Sequence, residues 1–409
     1  MTNRDSAHRQ SILTVNSGSS SLKFALFTLE PAPHRLLDGI VDRVGSSHAT
    51  LAIAESEGQF SAPVPIDAGS HRIAAERLIE WLESHARDTS LAAVGHRIVH
   101  GGPLYRQSQE LTSPVVEDLR RLVPFAPNHL PAELALIDAF RHARPDVTQV
   151  ACFDTAFHHD LPDVARVLPI PRSHEAAGVR RYGFHGLSYA YLLQELERVA
   201  GPAAASGRVI LAHLGNGASL AALRDGRCVD TSMGFTPAGG LVMGTRPGDL
   251  DPGVVTYLVR TERLTAEQLE DLLTRRSGLL GISETSADMR DLLAREDVDP
   301  RCRLAVAMFC YQATKWLGAF TAVLGGLDTL VFAGGIGEHS STIRSRICDS
   351  LGFLGLRLDA PGNAADASVI SSNSSRVVVR VIPTNEDVMI ARAAYEFLDA
   401  RRSVSHDTP

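Results

Sequence analysis

Residues 12–26 read ILTVNSGSSSLKFAL, and residues 209–223 read VILAHLGNGASLAAL. Each is an apolar run, a turn of small residues and a second run. In the first, Leu22, Phe24 and Leu26 alternate with polar or small residues, the period of a strand with one buried face. The turn spans Asn16 to Ser20 in the first copy and Gly215 to Gly217 in the second. Asp225-Gly226 then makes a further hairpin turn. Two such stretches about two hundred residues apart point to two halves, each opening with a glycine-turned hairpin.

Outward from these hairpins, strand-like and helix-like runs alternate. Ala92 to Val99 and Val147 to Phe153 read as strands, and Ala74 to Ser84 and Glu133 to His142 as helices. After the second hairpin come helices at Ala266 to Thr274 and Leu304 to Val323. A buried strand, Thr329 to Ala333, leads into Gly334-Gly335-Ile336-Gly337, which opens a helix. Pro361 to Ser375, rich in Ala, Ser and Asn, reads as a surface loop. Val377 to Ile382 is a strand, and Glu386 to Leu398 a final helix capped near Thr384 or Asn385. The alternation predicts an α/β fold in layers.

Composition narrows the function. The 409 residues suit two domains, and 44% hydrophobic with 21% charged residues is a globular balance that excludes a largely disordered chain. The net charge of −7 speaks against a nucleic-acid partner. Lys23 and Lys315 are the only lysines, and neither follows a glycine, so there is no Walker A loop and no protein-kinase Val-Ala-Ile-Lys strand. Five cysteines without a Cys-x-x-Cys pair predict neither a disulfide framework nor structural zinc, and fit a reducing cytoplasm. Met1 to Gln10 lacks an apolar signal core, and Trp316 to Gly337 is broken by Asp328 and glycines, so no membrane association is expected.

Several residues carry chemistry. The small-residue turns offer backbone N–H groups and hydroxyls to phosphate oxygens, from Asn16, Ser17, Ser19 and Ser20 in one half and Asn216 and Gly217 in the other; plain structural turns are the alternative. Asp154, Asp249, Asp251, Glu386 and Asp387 are acids able to hold a divalent cation, with a dipole-favoured helix start as the alternative for Glu386. Arg97 stands mid-strand, which is costly unless it meets an anion, and Arg246 lies in a glycine-rich loop. Two arginines converging on a transferring phosphoryl group would supply its charge stabilisation, against the alternative of structural ion pairs. His96 and His100 lack a third zinc ligand. His129, His185 and His213 sit among small residues and are either structural or functional.

Taken together these motifs resemble the acetate and propionate kinase family. The matching pieces are residues 16–24, Gly95 to Gly102, Phe153 to His158, Arg181 to Gly186, His213 to Ser219, Met243 to Arg246, Ser277 to Ser283, Gly335 to Glu338 and Thr384 to Glu386, so the resemblance covers nearly the whole chain. It implies the two-domain fold of the sugar kinase, heat-shock ATPase and actin superfamily: two ribonuclease-H-like domains, each with a βββαβαβα core, an active-site cleft between them, and a homodimer. The first domain would comprise residues 1–156 and 389–409, and the second 157–388.

The implied reaction is reversible phosphoryl transfer between ATP and the carboxylate of a short fatty acid such as acetate, giving an acyl phosphate and ADP, with magnesium (or manganese) as the ion. By position, Asn16, Arg97, Asp154, His185, Arg246 and Glu386 correspond to the family's catalytic set. Arg97 and Arg246 would hold the acid and the transferring phosphoryl, and His185 would donate to that phosphoryl. Asp154, Glu386 and Asn16 would serve the metal. Lys23, His213, Leu214, Gly215, Asn216, Gly217, Asp288, Met289, Arg290, Gly335, Ile336, Gly337 and His339 would bind the nucleotide. Val99, Asn128, Phe184 and Pro237 would form the acyl pocket. The family has leucine where Asn128 stands. A buried amide lacking a partner costs ~1–3 kcal/mol, so either Asn128 turns away and Leu130 fills in, or the substrate differs. Ala238-Gly239, Leu187-Ser188-Tyr189 and His339 are further departures. Three alternatives remain: a kinase for propionate or another short acid, or one using pyrophosphate; a non-catalytic nucleotide-binding protein; and a zinc hydrolase, which lacks ligand spacing.

Overall fold

The computed structural model describes residues 9–18, 20–55, 58–85 and 89–406. The chain divides into two compact units: residues up to Ala156 with those from Asn385 onward, and Phe157–Thr384. The return to the first unit thus falls at Asn385, four residues before the expected 389, and Glu386 belongs to the first unit.

In the first unit the strands are β1 (Arg9–Ser17), β2 (Ser21–Thr28), β3 (Arg35–Asp42), β4 (Thr50–Glu55), β5 (Val64–Pro65), β6 (Thr89–Ile98), β7 (Gln109–Glu110) and β8 (Thr148–Phe153). Their order is β5-β4-β3-β2-β1-β6-β8-β7. The β1 to β5 neighbours pair antiparallel, whereas β1–β6 and β6–β8 are parallel. Asn16 and Ser17 are not turn residues. They end β1, paired with Lys23 and Leu22, because the antiparallel ladder runs on to that point. Gly18 begins the turn, its N–H donating to Ser21 O at 2.8 Å. Ser19, expected in the same turn, lies outside the described residues.

Side chains on successive strand residues point to opposite faces, and each face of this sheet has its own cover. Val94 packs in a core with Leu13, Phe24, Leu78, Ile79, Leu136 and Phe140, under the helices His71–His85 and Leu130–Ala143. The next residue, Gly95, faces the helix Glu386–His406. A Cβ on Gly95 would lie 2.3 Å from Ile390 Cγ2 and 3.3 Å from Ile390 O, so only glycine lets this helix lie so close to the sheet. Ile390, Ala391 and Ala394 are fully buried there. Asn385 Oδ1 accepts from Val388 N at 3.2 Å, the expected cap, and the helix outruns the predicted Leu398 to reach His406.

In the second unit the strands are β9 (Val209–Leu214), β10 (Ala218–Arg224), β11 (Arg227–Thr231), β12 (Thr329–Ala333) and β13 (Val378–Val381), in the order β11-β10-β9-β12-β13. Here β11, β10 and β9 are antiparallel, and β9, β12 and β13 parallel. The order β3-β2-β1-β6-β8 in the first unit is the same pattern: a hairpin meander, then two parallel strands on the far side of the first. Both units are ribonuclease-H-like, and the echo of the two hairpins reflects a repeated architecture. Tyr189, Leu192 and Leu196 of the helix Gly186–Ala200 pack on Val209, Leu211 and Val331.

The predicted surface loop Pro361–Ser375 is only partly that. It contains most of a short helix, Ala360–Ala364, and is tied down by bridges Leu358↔Ser371 and Val369↔Arg380. Asn363 is buried because Arg344, fully buried itself, needs acceptors. Arg344 donates to Asn363 Oδ1 (2.8 Å), Asn363 O (2.6 Å), Gly337 O (2.9 Å) and Glu338 O (2.8 Å), and pairs with Asp366. No described helix is long and apolar enough to cross a membrane.

Each unit holds a buried histidine, His96 in the first and His158 in the second. Burial lowers both pKa values from 6.5 to about 4. The unfolded chain therefore binds protons that the folded chain refuses. The resulting stability is full above pH 6.5 and is lost as pH falls from there towards 4. Each histidine should withdraw about 1.4 kcal/mol per pH unit across that window. Thermal unfolding followed from pH 7 to pH 5 should show this loss, and His158→Gln should make the dependence shallower. An equally steep dependence in the variant would exclude His158 as a source.

Candidate active site

Strand order brings distant residues together at one end of the first unit's sheet. Asn16 ends β1, Arg97 is the penultimate residue of β6, and Asp154 follows β8 directly. These three strands are neighbours, and the register pairs Ile98 with Phe153. The position matches the general preference of α/β proteins for sites at the carboxyl ends of parallel strands. Glu386 arrives from the far end of the chain as the first residue of the helix that Gly95 admits.

Arg97 is the hub. Its Nε and Nη2 donate to Asp154 Oδ1 and Oδ2 at 3.2 and 2.5 Å, a bidentate pair. Nη1 donates to Asn16 Oδ1 at 3.2 Å. The Asn16 amide donates in turn to Glu386 Oε2 at 3.3 Å, and that oxygen lies 3.7 Å from Arg97 Nε. Asp154 is fully buried, while Arg97 and Glu386 keep 16% of their side-chain surface. Burial opposes the charge on Arg97, but Asp154 and then Glu386 outweigh it and raise its pKa. Two carboxylates and one guanidinium leave a net negative charge beside an amide oxygen. Behind the cluster lies Glu133, buried, with both carboxylate oxygens 3.2 Å from Val99 N.

The second unit builds a different kind of site. His185 precedes the helix Gly186–Ala200 in the left-handed region (φ 58°), a conformation that costs about 1 kcal/mol outside glycine and that aims its ring. Its Nδ1 lies 2.8 Å from Ser219 Oγ, which lies 2.5 Å from Tyr189 OH. Burial raises the Tyr189 pKa, so the phenol keeps its proton. Tyr189 OH, Ser219 Oγ and His185 Nδ1 thus form one hydrogen-bonded chain that holds the imidazole ring. The His185 ring stacks on His213 at 4.3 Å, and His213 Nδ1 meets Ser188 Oγ at 2.8 Å. Beside them is Arg246, whose Nη1 donates to Pro237 O at 2.6 Å. Its loop is held by Leu279 N and Leu280 N, which donate to Met243 O and Gly244 O at 2.9 Å each.

The remaining sequence-predicted residues fall in varied settings. Gly215 N donates to Gly217 O, and Gly244 N to Asn216 O, each at 3.0 Å, while Leu214 ends β9 in the core. Gly335, Ile336 and Gly337 lie in the short helix Gly334–His339, and His339 is exposed at its end. Glu338 holds that segment: its Oε1 accepts from Gly334 N (2.8 Å) and Thr384 N (3.1 Å). Asp288 caps the helix Met289–Arg295 and pairs with Arg290 at 2.5 Å, and the Met289 side chain is core. Lys23 is exposed and belongs to the first unit, whereas the other nucleotide candidates belong to the second. Val99 and Asn128 belong to the first unit, and Phe184 and Pro237 to the second; Val99 and Phe184 are buried.

Three further acids are engaged elsewhere. Asp249 accepts from Gly240 N at 2.9 Å, and Asp251 caps the helix Pro252–Glu262. Asp387 accepts from Thr14 Oγ1 at 3.3 Å. Among the described residues no three His, Cys, Asp or Glu side chains cluster to hold a metal ion, and that includes His96 and His100. Ser219, Tyr189, Glu133 and Glu338 were not singled out as site residues. Ser219 and Glu338 lie within quoted motifs; Glu133 could have been flagged as a carboxylate on the apolar face of its helix.

The duplicated strand order and the polar strand ends define a two-domain α/β protein of the actin and hexokinase-like fold. The model of the Acetokinase family matches residues 11–392, and the chain belongs to that family. Curated relatives include an acetate kinase of Rhodopseudomonas palustris (strain TIE-1), 46% identical over 96% of this chain and 99% of its own length. A propionate kinase of Citrobacter rodentium is 41% identical over 97% and 98%. Among solved structures, Porphyromonas gingivalis acetate kinase aligns with a TM-score of 0.85 and 36% identity, covering 95% of this chain and 100% of its own. A propionate kinase from Francisella tularensis aligns at 0.87 and 33%, covering 95% and 99%.

Gly217 gives a direct check on the second-unit site. A Cβ there would lie 2.9 Å from Arg246 Nη2 and 3.2 Å from His185 Nε2. Both atoms are the outer ends of side chains, so an added methyl would displace the guanidinium and the imidazole rather than backbone. Gly217→Ala should therefore lower catalytic turnover about tenfold to a hundredfold while the thermal midpoint stays close to that of the parent. Undiminished turnover would separate this turn from the reacting groups.

Proposed function

We propose that this protein is an acetate kinase, catalysing reversible phosphoryl transfer between ATP and acetate to give acetyl phosphate and ADP. The observation that carries the reading is the arginine-centred cluster of Asn16, Arg97, Asp154 and Glu386, in a chain of the Acetokinase family. The acetate carboxylate is the nucleophile, so no covalent enzyme intermediate is required. Its oxygen forms a bond to the γ-phosphorus as the bond to the β,γ-bridging oxygen breaks, and ADP leaves with that electron pair. The protein's part is positioning and charge stabilisation.

The roles follow from the groups. Arg97 and Arg246 hold the carboxylate and the equatorial phosphoryl oxygens. His185 donates from Nε2, the ring nitrogen that faces Gly217, while Nδ1 is engaged by Ser219. Asn216, Gly217 and His213 serve the nucleotide phosphates. Asp288 to Arg290, Gly335 to Gly337 and His339 serve the remainder of the nucleotide, and Lys23 stays part of the nucleotide set. Asp154, Glu386 and Asn16 form the hard oxygen donor set that suits magnesium or manganese, with phosphate oxygens and water completing the shell. The ion would neutralise phosphate charge. The two units act as the protein's two domains, residues 1–156 with 385–409 and 157–384. The protein works as a homodimer in the cytoplasm; its five free, buried cysteines fit a reducing compartment.

A second reading, a preference for propionate or another short acid, rests on half-buried Asn128, assigned with Val99 to the proposed acyl pocket, and on the relatives named propionate kinases.

Acyl hydroxamate formed from ATP, magnesium and hydroxylamine tests both readings, with acetate, propionate, butyrate or no acid supplied in parallel. Acetate should give product, and Asn128→Leu should shift the preference among the acids. Arg246→Ala should cut turnover on the order of 10²–10³-fold with the fold intact. Arg97→Ala should do the same and also destabilise the first unit, because it strands the buried carboxylate of Asp154. Wild-type rates in either variant would remove that arginine from the chemistry, and no product with any acid would overturn the reading.

A further inference from the structure

The Leu130–Ala143 helix turns an apolar face inward, with Leu130, Leu134, Ile137 and Phe140 buried. Glu133 is buried on that helix, only 2% exposed. A carboxyl group in such a place is expensive unless a specific partner needs it. The partner here is one backbone N–H. Both oxygens of Glu133 lie 3.2 Å from Val99 N, one residue beyond the end of β6 and two beyond Arg97. At the other end of this link, Glu133 N and Ala132 N donate to His129 O, and His129 N and Leu130 N to Ala126 O. Those bonds form the tight turn that carries Asn128. One side chain therefore joins the strand end bearing Arg97 and Val99 to the turn bearing Asn128.

We propose that Glu133 is a positioning residue that fixes the acid-binding corner of the first unit and so sets the discrimination between short carboxylic acids. This rests on the assignment of Val99, Asn128 and Arg97 to the acid site. The charged groups facing Glu133 are Arg97 and Asp154, and burial, against the pull of Arg97, pushes its pKa up to about 8. Near neutral pH it is held mainly as the neutral acid, whose carbonyl oxygen still accepts from Val99. A glutamine, neutral and of the same shape, can make the same bond. A methionine fills the volume and cannot accept it.

Wild type, Glu133→Gln and Glu133→Met are compared for kcat and KM with acetate, propionate and ATP, alongside thermal unfolding. Glu133→Met should raise the KM for acid about fivefold or more and change the acetate-to-propionate ratio of kcat/KM, with the KM for ATP unchanged. Glu133→Gln should restore wild-type values. An unaltered acid KM and preference in folded Glu133→Met would overturn the proposal, as would a loss of kcat alone in step with lowered stability. Should Glu133→Met not fold, Glu133→Gln decides: a raised acid KM there would overturn the role of the Val99 bond. A wild-type protein forming no acyl phosphate from any acid would overturn the proposed function, and this inference with it; an active wild type beside an unaltered Glu133→Met would overturn this inference alone.

Discussion

A fully buried carboxylate, Asp154, faces a guanidinium, Arg97, that is nearly as deep. Taking both charges out of water costs several kcal/mol per ion, and their attraction repays this only in good geometry. That demand fixes much of the first unit. The parallel pairing of β6 with β8 must end so that Arg97 and Asp154 meet side by side, and the Ile98↔Phe153 register does this. Asn16 must finish β1 beside them, which explains why the hairpin ladder runs two residues further than the turn-like composition of the sequence implies. Glu386 must come within reach of the same guanidinium, and for this the last helix lies on a glycine. A pair of hydrophobic residues would stabilise these strand ends at least as well. Charge buried here is therefore better explained by ligand chemistry than by stability.

The two units use one strand order for two electrostatic tasks. The first concentrates full charges at its strand ends. The second gathers small turns and a hydrogen-bonded chain of Tyr189, Ser219 and His185. Ser219 holds the His185 ring by Nδ1 and leaves Nε2 towards Gly217, and the Arg246 guanidinium lies against the same turn. The left-handed backbone of His185 is part of the same arrangement, since it turns the ring towards Gly217 at the start of a helix.

How much of this was legible beforehand depends on the range over which each feature is set. The hairpins were readable because period-two alternation and glycine turns are local. So were β6, β8, β12 and the last helix, each an apolar run with its own punctuation. Strands β3 and β4 passed unread because RLLDGIVD and TLAIAE carry weak alternation, and their strand character comes from pairing with β2 and with each other. Composition misled at 361–375. Asparagine and serine read as solvent-facing, whereas Asn363 is buried to satisfy Arg344, nineteen residues away. The motif residues Asn16, Arg97, Asp154 and Glu386 could be named from their neighbours in sequence. That they form one hydrogen-bonded group follows from strand order, which no local pattern encodes.

Glu133 and Glu338 mark the limit of motif reading most clearly. Both are carboxyl side chains whose partners are main-chain N–H groups. Such partners leave no trace in composition, because every residue but proline has one. Glu338 spans from Gly334 to Thr384, and Glu133 from a helix to a strand end, so each ties one segment of its unit to another. A side chain tolerated in a core for one backbone bond constrains geometry more tightly than a hydrophobe of equal volume, because the bond fails within a few tenths of an ångström and apolar packing does not. Geometry of that precision is what selection between two acids differing by one methylene requires. The methylene itself offers only about 1–3 kcal/mol to a pocket, and a corner that yields by that much loses the distinction.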